Sequence, residues 1–154
     1  MKNMRIAVQA LLCYALLTGT AIGAEHEHSS EGLIEYREKV MELLKSQSGS
    51  VGDILKYKLP YEGDILVHAK GLQAASRLVA PSFKVKAMKD GGGARAEIWE
   101  QWEEYTAAAK VLEDAADKLV EAAEAGDMKA VGTAMRAVGG SCGNCHRPFR
   151  NKDH

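Results

Sequence analysis

Met128, Val131, Met135, Val138, Cys142, Cys145 and Phe149 follow one another at unbroken steps of three and four. Steps of that size keep side chains on one edge of an α-helix. The segment therefore predicts a helix with a strict apolar seam, the inner edge of a bundle helix. Asp127 is suited to cap its start. Both cysteines occupy core positions of the seam, so their chemistry belongs inside the fold and not on its surface.

The rest of the chain supplies partners for that edge. Ile98, Trp102, Tyr105, Ala109, Leu112, Ala116, Leu119 and Ala123 alternate at four and three, the pattern of a third helix closed by Ala125-Gly126. Core packing explains its aromatics, and one of them can also flank a cofactor. A second helix is expected from about Asp64, read as its N-cap, to Val79 before Pro81. Its face of Ala69, Gly71, Ala75 and Ser76 allows close helix approach, within the chain or to a second copy. A first helix is expected over about 31–57, ended by Leu59-Pro60 because the residue before proline avoids the helical region. Gly49 and Gly52 weaken its second half, at about 1 kcal/mol each. Residues 81–95 form the one longer connection, a flexible crossover rich in lysine and glycine. Gly91-Gly92-Gly93 lacks the preceding strand and the G-K-[ST] of a phosphate cradle. The expectation is all-α: an antiparallel four-helix bundle with a long crossover between its second and third helices.

The N-terminus is separate. Lys2 and Arg5 precede an apolar run from Ile6 to about Leu17 and a small-residue stretch ending Ala21-Ile22-Gly23-Ala24. That layout predicts a cleavable signal peptide over 1–24 and export to the periplasm; the run is short for a membrane span. Residues 25–30 read as a polar tail and 31–154 as the bundle. Removing Lys2 and Arg5 leaves 18 basic against 21 acidic residues, so the mature chain carries about −3. Nothing in that balance favours nucleic acid. Cys13 leaves with the leader, and the two remaining cysteines both lie in the seam.

Those two cysteines stand in Cys142-Gly143-Asn144-Cys145-His146. C-x-x-C-H is the pattern of covalent c-type haem attachment. Two thiols form thioethers with the haem vinyl groups, and the next histidine reaches the iron as an axial ligand. The rivals fit less well. A thioredoxin-like site needs a βαβ setting, a structural zinc needs four ligands, and a disulfide across three helical residues is strained. His68 has no ligand-type neighbour in sequence and reads as an ordinary satisfied histidine.

With these motifs assembled, the chain resembles the cytochrome c′ family from about Ile34 to Arg150. The resemblance rests on a C-x-x-C-H near the C-terminus, Tyr36-Arg37-Glu38-Lys39-Val40-Met41 on the first helix, Gly92 to Trp99 leading into the third, the Glu124-Ala125-Gly126-Asp127 turn, and His146-Arg147-Pro148-Phe149-Arg150. It implies one haem c with Cys142 and Cys145 as attachment sites and His146 as proximal ligand. It also implies Arg37, Glu38 and the loop residue Asp90 near the haem, and Arg150 beside the proximal histidine. An arginine there suits a propionate carboxylate. Pro148 removes a helical hydrogen bond to Asn144 next to the ligand. Met41 stands on the distal side, where the resemblance allows two outcomes. It either ligates the iron, giving a low-spin electron carrier served by redox partner proteins, or packs on an open face that takes nitric oxide or carbon monoxide. Electron transfer is the primary expectation, and no distal acid-base pair supports an enzyme. The family's homodimers pack through the first two helices; the small residues on the second permit this here.

Overall fold

The computed structural model describes residues 29–152. The expected leader, residues 1–24, and most of the expected tail lie outside the described residues. Helix α1 runs Ser30–Tyr57, α2 Ile65–Ser76, α3 Val79–Ser82, α4 Glu97–Glu100, α5 Trp102–Glu124 and α6 Met128–Phe149, with a 3-10 turn at Glu62–Asp64. The four long helices form an antiparallel bundle in which α1 packs on α2, α2 on α5 and α5 on α6. The α1–α6 seam is the thinly packed one. Among the described residues there is no strand, only an isolated antiparallel bridge between Ala94 and Arg150. No helix among them is long and apolar enough to cross a membrane.

The expected seams form the core. Val131, Val138 and Phe149 of α6 are buried, with Met128, Met135, Cys142 and Cys145 packed against them. Ile98, Tyr105, Ala109, Leu112, Ala116 and Leu119 are buried opposite. Helix α1 continues unbroken through Gly49 and Gly52, because burial of Val51 and Ile54 outweighs the glycine cost. It also starts earlier than expected. Ser29 caps it by accepting the Gly32 N–H at 3.1 Å, drawing Ser30 out of the tail.

Several boundaries are corrected. Asp64 makes no side-chain cap and closes the short 3-10 turn instead. The second helix stops at Ser76, and a further turn, α3, runs through Pro81. Proline is tolerated there because a first-turn N–H has no helical acceptor. Gln101 breaks the third helix into α4 and α5 at φ −123°, ψ 53°. Asp127 does cap α6, accepting from the Ala130 N–H at 2.9 Å.

Gly126 turns α5 into α6 at φ +66°. Its N–H reaches Ala123 O at 3.2 Å and the Asp127 N–H reaches Ala122 O at 3.1 Å, a Schellman closure. A Cβ at Gly126 would meet nothing within 4 Å, so any cost is purely backbone. Gly126→Ala is expected to lose about 1 kcal/mol, read as a lowered midpoint in urea unfolding without a change in slope.

Gly71 has a different reason. A Cβ there would lie 2.9 Å from the Gln47 side chain. The close approach that the small residues of α2 allow is thus used within the chain, against α1. Gln47 Oε1 sits 2.9 Å from His68 Nδ1, which gives that histidine a local partner.

Candidate functional site

The thin α1–α6 seam opens into a cavity of about 760 Å³. One wall is α6, which carries Cys142, Cys145, His146 and Phe149; α1 supplies Arg37 and Met41, one turn apart; α5 supplies Tyr105. Gly92, Gly93 and Ala94 of the crossover line it as well, with Arg150. This volume lies within the usual range for a bound cofactor.

The two thiols are unpaired and half-buried. Burial pushes the Cys142 thiol up and holds Cys145 up at about 11. Thiols so protonated are poor in disulfide exchange. No group of three or more His, Cys, Asp or Glu side chains among the described residues is arranged to hold a metal ion. His146 is shifted the other way: partial burial, and secondarily the Arg150 cation, lower its pKa. Its imidazole is thereby kept neutral, with a lone pair available to a metal. Helix α6 runs through Pro148 to Phe149, and the Arg150 N–H returns to His146 O at 3.0 Å.

Beyond its cap, the C-terminus is stapled to the crossover. Arg95 N–H meets Phe149 O at 3.1 Å, Asn151 N–H meets Gly93 O at 2.9 Å, and Asn151 Nδ2 donates to Gly92 O at 2.5 Å. The residues after His146 and the loop at the cavity are therefore tied together.

Arg37 has a role that the sequence reading did not give it. It is 3% exposed. Nε donates to Ser82 O at 2.9 Å and Nη1 to Ala87 O at 2.7 Å, while Nη2 donates to Val85 O. The guanidinium carbon lies 4.8 Å from the Phe83 ring centre and 5.3 Å from that of Trp99. One planar cation thus satisfies the last carbonyl of α3 and two carbonyls of the irregular segment after it, and Trp99 Nε1 adds a bond to Phe83 O at 2.8 Å. The crossover expected to be flexible is fastened, with Phe83 and Ala87 buried.

Glu38 lies at the cavity mouth and pairs with Lys89 Nζ at 3.0 Å; both are half-exposed, so the pair contributes under about 1 kcal/mol. Asp90 is not brought to the cavity. The Gly92 N–H bonds Lys89 O at 3.0 Å, and Gly91 adopts φ +67°. Asp90 thus stands at the outer corner of a turn, exposed.

Tyr105 is the residue whose chemistry sequence reasoning missed. It is 2% exposed, and its ring is held by Phe83, Trp102 and Phe149 at centroid distances of 5.3, 5.6 and 5.3 Å. Its hydroxyl is the one buried side-chain nitrogen or oxygen among the described residues without a hydrogen-bond partner. Leaving such a group unpaired costs about 1–3 kcal/mol. The periodic stripe reported its burial; no signal in the sequence reports an unspent donor.

Two thiols and an imidazole from α6, a methionine from α1 and an orphaned buried hydroxyl from α5, all lining one cavity, fit an attached haem. Fold and site together define a c-type haem protein built on a four-helix bundle. Comparison with known proteins agrees: the Cytochrome C′ family profile matches residues 32–150. Cytochrome c′ of Rhodospirillum rubrum is 32% identical over 97% of this chain and 99% of its own length. Cytochrome c-556 of Agrobacterium tumefaciens (strain B2A) is 32% identical over 79% of this chain and 98% of its own. A solved nitric oxide complex of a cytochrome c prime variant from Alcaligenes xylosoxidans superimposes with a TM-score of 0.74 at 30% identity, covering 80% of this chain and 98% of that one. The chain belongs to the cytochrome c′ family, whose cofactor is a covalently attached c-type haem.

Proposed function

We propose that this chain is an exported monohaem electron carrier in which Cys142 and Cys145 tether the haem and His146 is the proximal iron ligand. One observation carries the reading: a single cavity wall presents both thiols and the imidazole from α6, and the Met41 thioether is presented from α1. When bound, the haem supplies a one-electron ferric–ferrous couple. The work of the chain is positional. Cys142 and Cys145 would fix the macrocycle by two bonds at helical spacing, and His146, next in sequence, would hold the iron. Met41 would hold the iron from α1, and a neutral thioether ligand favours the ferrous state and raises the potential. Arg37 and Arg150 bring cationic charge to the cavity wall, suited to propionate carboxylates. The Lys2/Arg5 leader pattern supports export to the periplasm, where soluble redox proteins are the partners. Leu43 and Val67, exposed on α1 and α2, support a homodimer through those helices, checked by sedimentation.

A second reading has its own support. The solved neighbour at 30% identity is a nitric oxide complex, and a Met41 that only packs against the core would leave the distal face open to nitric oxide or carbon monoxide. Optical spectra of the oxidised and reduced protein, with and without carbon monoxide, separate the two. For the electron carrier, a low-spin spectrum indifferent to carbon monoxide is expected, converting in Met41→Ala to a high-spin spectrum that binds the gas. A native protein that is already high-spin and takes up carbon monoxide would reject methionine ligation and favour the gas-binding module.

A further inference from the structure

The Tyr105 hydroxyl stands out against its setting. Every other buried side-chain nitrogen or oxygen among the described residues has a hydrogen-bond partner, including the guanidinium of Arg37 with its three carbonyls. Buried tyrosines ordinarily find a partner for the hydroxyl. Tyr105 cannot find one by turning, because three aromatic rings hold it in place. It forms part of the cavity wall. Phe83, whose ring lies 5.3 Å from that of Tyr105, also stacks on the Arg37 guanidinium at 4.8 Å, so the phenol and this cation share one neighbour. A group that is rigid, buried and unspent in a cavity wall points to an acceptor carried by the occupant.

The occupant narrows the choice. Resting on the haem reading above, the strong acceptors on the ligand are its two propionate carboxylates; the porphyrin nitrogens are committed to iron. Carboxylates accept charge-assisted bonds, the kind that best offset the cost of a desolvated hydroxyl. The neighbouring Arg37 cation makes this part of the wall hospitable to an anion. We propose that Tyr105 donates a hydrogen bond from its hydroxyl to a haem propionate and thereby raises the reduction potential of the haem. The electrostatic consequence follows in sign. An uncompensated propionate anion favours the ferric state; a donor drawing on that charge shifts the balance toward ferrous. Tyr105 is a positioning and tuning residue and does not touch the iron.

The test uses the haem-loaded protein and its Tyr105→Phe variant, which preserves the ring packing and removes only the oxygen. Mass spectrometry first establishes that both carry covalent haem. Resonance Raman then reads the propionate-bending band, and a mediated titration reads the midpoint potential. The expected result is a shifted band and a lower potential in Tyr105→Phe. A band and potential identical to the native protein would overturn the inference while leaving the haem site intact. Native protein without covalent haem would instead defeat the underlying reading. If Tyr105→Phe does not mature, protein labelled throughout with 3-fluorotyrosine decides the matter. The fluorinated phenol is a stronger donor of nearly the same shape, and Tyr36, Tyr57 and Tyr61 are about half-exposed. In that protein the band is expected to move and the potential to rise, and an unmoved band would reject the bond.

Discussion

Cys142→Ala combined with Cys145→Ala is expected to yield protein with no covalent haem, read as the bare polypeptide mass and the absence of a haemochrome band from denatured protein. The expectation follows from bond chemistry: thioethers survive unfolding, whereas ligation by His146 and Met41 alone does not. Either single variant keeps one bond and is expected to retain some covalent haem. Retention of covalent haem by the double variant would remove the basis for the assigned site. The same variant is expected to lose much of its stability. At about 24 cal/mol per Å³, a dry cavity of about 760 Å³ would cost roughly 18 kcal/mol. That is an upper bound, because this cavity opens to solvent at its rim. Even a fraction of it is large against the whole stability of a typical domain, about 5–15 kcal/mol. A haem attached there would complete the core, and protein lacking it is expected to collapse around the α1–α6 seam with a strongly lowered unfolding midpoint.

Arg37→Ala is the second large effect, and it acts on the crossover. The substitution leaves the carbonyls of Ser82, Val85 and Ala87 without their donor and removes a cation stacked on Phe83 and Trp99. Bonds to a charged group contribute about 1.5–3 kcal/mol each, and exposing part of the segment to water recovers some of that loss. A net loss of about 3 kcal/mol or more is expected in denaturant unfolding. Lysine is a poor substitute, because one ammonium cannot reach three carbonyls in a plane and stack at the same time. Local opening gives the second readout. Trypsin cleavage after Lys84, Lys86 and Lys89 is expected to accelerate in Arg37→Ala well beyond cleavage elsewhere. Unchanged cleavage with unchanged stability would show that the crossover is held by Phe83 and the Asn151 staple without Arg37.

The two substitutions mark the boundary of what was legible in the residues alone. Cys142, Cys145 and His146 were readable because their chemistry is encoded in local spacing on one helix, and helical spacing survives into any bundle. The same holds for the α5 stripe and the Asp127 cap, each set by residues within a turn or two. Asp64 has the residue type of a cap, but its N–H bonds Tyr61 O and it closes the short 3-10 turn before α2 instead. Pro81 is by residue type a helix stop, but its place in the first turn of α3 makes it harmless. Arg37 and Asp90 show the larger gap. A charged residue on a helix and one on a lysine-rich loop carry no local sign of which will be buried. That is settled by the path of the crossover, which lays three carbonyls on Arg37 and turns Asp90 outward.

The sequence by itself determined the class of this protein: four helices, an apolar seam ending in C-x-x-C-H, and therefore a haem inside a bundle. Periodicity and covalent spacing are one-dimensional quantities, and a single chain states them fully. The tertiary structure alone decided that the cavity lined by Cys142, Cys145 and His146 opens at the thin seam between α1 and α6. It also decided that an arginine ties the crossover down at that cavity, and that one phenol is buried there with a hydrogen bond unspent. Those outcomes depend on which donors and acceptors meet across distant segments, and each buried polar group must find its partner in three dimensions.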